Sequence, residues 1–225
     1  VMDQLAKRIP ISLKLAGFSI ILTIVFGVGS GVLMAVKKDR LLDHVLGTFS
    51  TVALSVPGFW IAIVLIFIFA EQWKILPSSG ISDGSGFILP AITLALPSIG
   101  VCARLTRSAI LDEIGRQYMT VADAKGIEPP PRGDPPRLRK RPDPDHHYLG
   151  NHMAGIIGGA SIVETIFAIP GIGSYAIAGV QSKDYYVVQA YVLFSGCIYV
   201  LTNILIDLIY IALDPKIRAG EAVES

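Results

Sequence analysis

The stretch LAGFSIILTIVFGVGSGVLMAV, residues 15–36, runs for 22 positions without a charged side chain. A helix rises about 1.5 Å per residue, so about 20 apolar residues cross the hydrocarbon core of a bilayer. Further uncharged runs occur at residues 51–70, 87–103 and 185–206, and residues 149–169 contain only three strongly polar side chains. A buried globular core could supply one such run but hardly five. The sequence therefore predicts an all-α, polytopic transmembrane helical bundle with five spans in the lipid bilayer.

The composition also fits a membrane environment. Hydrophobic residues make up 52% of the chain and charged residues only 16%, whereas about a quarter of the residues in soluble domains are charged. A net charge of +1 provides no basic surface for nucleic acid, so we expect no nucleic-acid partner. Cys102 and Cys197 both lie in apolar runs, which argues against a disulfide framework.

The distribution of Lys and Arg predicts which loops face the cytoplasm, because basic residues are retained there. Residues 37–44 hold three of them, residues 104–148 hold nine, and the tail from Asp214 holds two. The alternate loops, 73–86 and 170–184, hold one each. The tail is therefore expected inside, and an odd number of spans places the start of the chain outside. We expect that the first span of a six-span protein is missing.

The most informative loop follows the third span and reads ARLTRSAILDEIGRQYMTVADAKGI, residues 103–127. Its charged and apolar residues alternate at helical spacing, which predicts short helices on or beneath the membrane. By itself this pattern is also compatible with a passive amphipathic connector.

Six residues of this loop resemble the dipeptide and oligopeptide branch of the binding-protein-dependent transport permeases. They are Tyr118, Thr120, Ala122, Ala124, Lys125 and Gly126. The family carries a signature loop here, often written EAA followed by a downstream Gly. In this chain Thr120 stands where many families have Glu, and Val121 replaces the first Ala.

The resemblance extends over nearly the whole chain, in several separated stretches that follow the family's order. They are KRIPISLKLA (7–16), LSVPGFWIAIVLIFIFA (54–70), WKILPSSG (73–80), LPAITLALPSIGVCARLTRSAIL (89–111), GGASIVETIFAIPGIG (158–173) and LIDLIYIALDPKIR (205–218). The family's first span and the outer region after it have no counterpart, in agreement with the charge pattern. Several ordered matches are much more specific than any one of them.

The resemblance implies a single permease domain over residues 1–225, in the inner membrane of a bacterium. Its cytoplasmic coupling loop, residues 104–148, would dock on an ATPase subunit. The implied partners are a second homologous permease subunit, two ATP-binding-cassette ATPase subunits and an extracytoplasmic solute-binding protein. The chain has no GxxxxGK[ST] phosphate loop, so we expect no enzymatic activity, cofactor or metal in it and ATP hydrolysis on its partners.

The resemblance also indicates the class of solute. Dipeptides or oligopeptides come first, and nickel chelates or glutathione are an alternative because those permeases look alike. A membrane-embedded enzyme or assembly factor is a rival of another class. It would need an acid, base or nucleophile set within the spans, and the sequence offers none.

Glu164 lies deep in the predicted span over residues 149–169, where a charge costs about 2.5–3.5 kcal/mol on insertion scales. Such a residue should face the bundle interior, a water-filled path or a partner helix. Two interpretations remain open for it. One is a residue of the translocation path or gate, and the other is a structural hydrogen bond near the outer end of the span.

Residues 128–148 read EPPPRGDPPRLRKRPDPDHHY and hold seven of the 14 prolines. Prolines at this density exclude a helix, although the family has a coupling-loop helix and the start of a span here. With permissible codons, a one-base shift from Arg141 reads Ala-Leu-Ile-Pro-Ile-Ile-Thr-Ile before Leu149 resumes in frame. We therefore interpret residues 128–148 as frame-shifted. Asp143, Asp145, His146 and His147 are then an artefact rather than metal ligands.

Overall fold

The computed structural model of the chain describes residues 1–81, 84–124 and 160–213, and for residues 113–124, 206–207 and 209–213 only the course of the backbone. All regular structure in these ranges is helical, which confirms the predicted all-α fold. The helices are α1 (Met2–Val36), α2 (Leu41–Ser55), α3 (Gly58–Gln72), α4 (Ile88–Ala124), α5 (160–166), α6 (Ile172–Gln181) and α7 (Tyr185–Leu213). Helices α1 and α3 contain π-helical segments, Thr23–Val28 and Ile66–Gln72.

Three helical segments of the described ranges are long and apolar enough to cross a bilayer. They are Met2–Val36, Gly84–Asp112 and Tyr185–Leu205, and they cover three of the five predicted spans, to within one residue at the end of the last. Of the span predicted over residues 149–169, residues 149–159 lie outside the described residues. Its last part forms α5 and the turn that follows.

The single helix expected over residues 51–70 is instead two helices, α2 and α3, which meet at an angle of 107°. The break lies at Val56 and Pro57, whose backbones are extended, with ψ angles of 129° and 138°. A proline disfavours the helical conformation of the residue before it, so α2 ends at Ser55. The pair counts as a fourth span only when it is taken as one broken helix.

Helix α4 also differs from the expectation. We expected short separate helices in the loop after the third span, but α4 runs for 37 residues from Ile88 to Ala124. Residues 103–124 contain no proline, so nothing in this stretch removes a backbone donor from the helix. The predicted coupling residues up to Ala124 are therefore a direct extension of a membrane helix.

Helix α4 lies at the centre of the described bundle and packs against α1, α2 and α3. The hydrophobic core joins α1, α3 and α4 to α5 and the turn after it, through fully buried side chains such as Leu15, Leu89 and Phe167. Helix α7 packs mainly on α6. Its long apolar surface is largely exposed in the isolated chain, as expected for a helix that contacts lipid or another subunit.

Three glycines bring the backbones of α1, α2 and α4 into close contact. A Cβ at Gly27 would lie 2.7 Å from the Cβ of Cys102, and a Cβ at Gly31 would lie 2.6 Å from the carbonyl oxygen of Ala103. A Cβ at Gly100 would lie 2.7 Å from the carbonyl oxygen of Ser50. Small residues at such crossings allow close helix packing in membranes.

Candidate functional site

Glu164 of helix α5 lies at the centre of a polar cluster, and none of its surface is exposed. The hydroxyl of Ser12 in α1 donates to Oε1 of Glu164 at 2.5 Å, and the backbone N–H of Ser174 in α6 donates to Oε2 at 2.9 Å. The backbone N–H of Ile172 donates to the Ser12 hydroxyl at 2.9 Å. Both carboxylate oxygens are therefore hydrogen-bonded, and Glu164 connects α5 and the helix that follows it, α6, to α1, which is distant in the sequence.

The cluster satisfies the free N–H groups at the start of α6. The first N–H groups of any helix have no partner within the helix. Here Ser12 accepts from Ile172, the first residue of α6, and Glu164 accepts from Ser174 two residues later. A carboxylate at this end is also favoured by the helix dipole. Together the two side chains do the work of an N-cap, which Gly171 cannot supply because it has no side chain.

The turn before α6 fits closely around the same carboxylate. A Cβ at position 171 would lie 2.3 Å from Oε1 and from the carboxyl carbon of Glu164. The backbone N–H of Ile169 donates to the carbonyl oxygen of Glu164 at 2.8 Å, and Ala168 has a φ angle of 48°. Glycine at position 171 is therefore required by the close approach of the side chain it contacts.

Two further contacts join this end of the molecule. The guanidinium of Arg8 in α1 lies 4.7 Å from the ring centroid of Tyr175 in α6, within the range of a cation–π interaction. The backbone N–H of Gly80 donates to the carbonyl oxygen of Phe167 at 2.8 Å. The outer loop 73–86 thus contacts the last part of the predicted span 149–169.

The opposite end carries an ion pair between α2 and α4. Nε of Arg107 donates to Oδ1 of Asp43 at 2.8 Å, and Nη2 donates to Oδ2 at 2.7 Å. The backbone N–H of Asp39 also donates to Oδ2, at 3.0 Å. A cavity of about 470 Å³ lies beside the pair. Its lining comprises Met34, Asp39, Asp43, His44, Gly47, Thr48, Thr51, Arg104 and Arg107.

The predicted coupling residues continue from this end. Tyr118, Thr120, Ala122 and Ala124 lie on the backbone of α4, while Lys125 and Gly126 lie outside the described residues. Because a helix turns about 100° per residue, Tyr118 and Ala122 share one face and Thr120 and Ala124 share another. Their role in ATPase coupling stays a prediction. Asp143, Asp145, His146 and His147 also lie outside the described residues.

Sequence reasoning singled out Glu164 but missed its partners. Ser12 and Ser174 are ordinary small polar residues, and nothing in their local sequence marks them as contacts of a carboxylate 152 and 10 positions away. The Asp43–Arg107 pair had a weak signal, since opposite charges occur in two loops assigned to the same side. The contacts of Glu164 are those of a hydrogen-bonded connection between helices, and a role in the path or gate stays a prediction.

Comparison with known protein families identifies the class to which this chain belongs. The family described as "Binding-protein-dependent transport system inner membrane component" matches residues 27–132 and 147–219. The chain belongs to this family, so it is a membrane component of a transport system, and the resemblance predicted from the sequence is confirmed. The relatives found are transport permease components rather than enzymes.

Several curated relatives cover most of the chain. A probable peptide ABC transporter permease of Sinorhizobium fredii is 35% identical over 97% of this chain and 72% of its own length. The dipeptide transport system permease of Bacillus subtilis is 32% identical over 97% and 71%, respectively. The glutathione transport system permease of Escherichia coli K12 is 31% identical with the same coverage.

A solved structure supports the fold. The chain is similar to one in a structure of inward-facing conformations of the MetNI methionine ABC transporter, with a TM-score of 0.67. The similarity covers 95% of this chain and 97% of the other, at 18% sequence identity. At this identity the likeness concerns the fold alone, and the fold is that of an ABC transporter permease.

Proposed function

We propose that the chain is the permease subunit that forms part of the translocation path of an ABC importer for dipeptides or oligopeptides. The observation that carries this proposal is the similarity to two permeases named for peptide transport, at 35% and 32% identity over 97% of the chain. Glutathione is a second candidate because a permease named for its transport is 31% identical over the same share. Glutathione is itself a short peptide, so the two candidates are chemically close.

The proposal includes separate subunits for ATP hydrolysis. A chain without a phosphate loop needs ATPase partners to drive import, and we propose two of them, together with a second homologous permease and an extracytoplasmic solute-binding protein. The ATPase would contact the end of α4 around Tyr118 to Gly126. The membrane would be the inner membrane of a bacterium, as the family's description suggests.

We further propose that Glu164 belongs to the outer gate as a positioning residue. Its carboxylate holds α1, α5 and the start of α6 together, on the side where the charge pattern places the outer loops. Movement of any one of these helices would have to carry the others or break buried hydrogen bonds. The carboxylate would thus act through the helices it connects, without touching the solute.

The frame-shift interpretation of residues 128–148 bears on the coupling loop. The family match stops at residue 132 and resumes at residue 147, so it omits most of the proline-rich segment. This gap supports the proposal that the segment is read in a shifted frame. Resequencing the source DNA tests it directly, since a clean read of the printed codons in a transporting strain would contradict it.

Reconstitution tests the function. The permease would be made in two forms, with residues 128–148 as printed and with the shifted reading from Arg141 to residue 148, and each combined with its partners in proteoliposomes. We expect uptake of a labelled dipeptide that depends on ATP and on the binding protein. An ATPase variant that lacks the phosphate-loop lysine is the control. Uptake of glutathione but not of dipeptides would favour the second candidate, and uptake of neither by both forms would contradict the proposal.

A further inference from the structure

The Asp43–Arg107 pair has features that set it apart from an ordinary surface ion pair. The side chain of Asp43 is only 6% exposed and that of Arg107 is 29% exposed. Two parallel hydrogen bonds join them, and such bidentate pairs fix the relative orientation of both groups. Removal of one partner would leave a largely buried charge without its counterion, which is costly.

Asp43 also fixes the turn between α1 and α2. Its Oδ2 accepts from the backbone N–H of Asp39 at 3.0 Å, and Asp39 has a φ angle of 60°. A left-handed conformation at a residue other than glycine needs local support, and a hydrogen bond from its own N–H supplies it here. The carboxylate of Asp43 therefore connects three parts of the chain: the α1–α2 turn, the start of α2, and α4 through Arg107.

Close backbone contacts next to the ion pair also hold α1, α2 and α4 together. Gly31 of α1 contacts Ala103 and Thr106 of α4, immediately before Arg107, and Gly100 of α4 contacts Ser50 of α2. The approaches to Ala103 and Ser50 are between backbones, and such close packing leaves little room for one helix to slide along another. The Asp43–Arg107 ion pair adds a further connection between α2 and α4, on the cytoplasmic side of these contacts.

The residues proposed to couple to the ATPase lie further along the same helix. Tyr118 follows Arg107 by about three helical turns, or about 16 Å. Helix α4 is continuous over this distance. A force applied around Tyr118 would therefore reach Arg107 before it reaches the part of α4 that is buried among the other helices.

We propose that Asp43 and Arg107 are positioning residues that transmit movement of the coupling end of α4 to α2 and to the α1–α2 turn. This inference rests on the proposed function, because it assumes that the end of α4 meets an ATPase. Loss of the pair would let the end of α4 move without α2. ATP would still be hydrolysed, but less solute would be transported for each ATP.

The test compares the ratio of dipeptide uptake to ATP hydrolysis in the reconstituted transporter, in whichever form of residues 128–148 transports. The variants are Asp43→Arg, Arg107→Asp and the double exchange. Each single variant should lower the ratio about tenfold, within the usual range of coupling free energies between sites. The double exchange should raise the ratio at least about threefold above that of the single variants, because the ion pair re-forms with reversed direction. It should not reach the wild-type ratio, because an arginine at position 43 cannot accept the hydrogen bond from the N–H of Asp39.

Two matched controls remove nearby charges outside the pair. Asp39→Asn takes a carboxylate from the same turn, and Arg104→Gln takes a guanidinium from the preceding turn of α4. Both should leave the ratio within about twofold, as for surface changes outside such a pair. If the single variants do not assemble, Arg107→Lys keeps the charge without the two-point geometry, and its ratio should fall by a smaller factor.

Two outcomes would overturn the inference. One is an unchanged ratio in assembled single variants or, where only Arg107→Lys assembles, in that variant. The other is a double exchange that transports no better per ATP than the single variants. The wild-type arm reports on the proposed function separately. If it takes up neither dipeptide nor glutathione, the proposed function fails. The variants are then compared by their binding-protein-stimulated ATP hydrolysis, which should lose its stimulation in the single variants and regain part of it in the double exchange.

Discussion

The hydroxyl of Ser12 lies 2.5 Å from Oε1 of Glu164, and the two residues are 152 positions apart in the chain. Both side chains are buried, with 6% and 0% of their surface exposed. Ser12 also accepts a hydrogen bond from the backbone N–H of Ile172. A serine in the first third of α1 is therefore an integral part of the start of α6, and its hydroxyl has both a donor and an acceptor role.

This double role makes Ser12→Ala a sensitive substitution. It leaves Oε1 of Glu164 without its donor and the N–H of Ile172 without its acceptor. We expect a loss of about 1–3 kcal/mol in the free energy of unfolding, the usual cost of unsatisfied buried polar groups. Ser30→Ala is the control, because the half-buried Ser30 hydroxyl donates to carbonyl groups of its own helix. Thermal unfolding of the detergent-solubilised chain would measure both, and equal effects would contradict the role of Ser12.

The second prediction concerns Gly171. A Cβ there would lie 2.3 Å from the Glu164 carboxyl, so Gly171→Ala must displace the carboxylate or the turn. We expect a loss of about 1–3 kcal/mol in stability, as for other overpacked sites. Gly17→Ala is the matched control, because a Cβ at Gly17 meets nothing within 4 Å. An alanine at position 171 that is tolerated as well as one at position 17 would show that the turn adapts freely.

The third prediction concerns coupling. Replacing Gly126 by Leu should abolish uptake and solute-stimulated ATP hydrolysis while the complex still assembles, because a bulky side chain would keep the ATPase surface from approaching. Gly29→Leu introduces the same bulk at an open position of α1 and should transport normally. Normal transport by the Gly126 variant in an otherwise competent complex would remove Gly126 from the coupling surface.

The fourth prediction concerns topology. Single cysteines at Ser79 and Ser182 should react with a membrane-impermeant thiol reagent from outside, and cysteines at Asp39 and Lys216 should not, as the loop charges require. The native cysteines should first be replaced, since Cys197 is exposed in the isolated chain. Permeabilised cells provide the positive control for the inner positions. External labelling at position 39 would reverse the proposed orientation.

The spans could be predicted from the sequence because a long uncharged run has few alternatives to a membrane helix. The break between α2 and α3, within the uncharged run 51–70, was not predicted, although the sequence contains residues that disfavour a helix there. Val56-Pro57-Gly58 is a strong helix-breaking sequence, but hydrophobicity continues without interruption across it. The measure that identifies a span is therefore insensitive to the geometry that bends it. Pro97 lies inside the continuous helix α4, so the presence of a proline alone does not determine whether a helix is broken.

The polar contacts were harder to predict for a different reason. Glu164 attracted attention because a charge within an apolar run is costly and must be compensated. Its compensation comes from a hydroxyl and a backbone N–H, groups that occur throughout the chain. The choice among them depends on how α1, α5 and α6 are placed in space. The same holds for Arg107, one of nine basic residues in the loop region 104–148.

The fit between Gly171 and Glu164 has a consequence for the history of the family. A longer side chain at position 171 occupies the space that the carboxylate now fills, so neither position can change alone without disturbing the start of α6. In relatives where a larger residue stands at the position equivalent to 171, we expect a shorter side chain at the position equivalent to 164. The two positions, separated by a single turn of chain, should therefore have evolved as a pair.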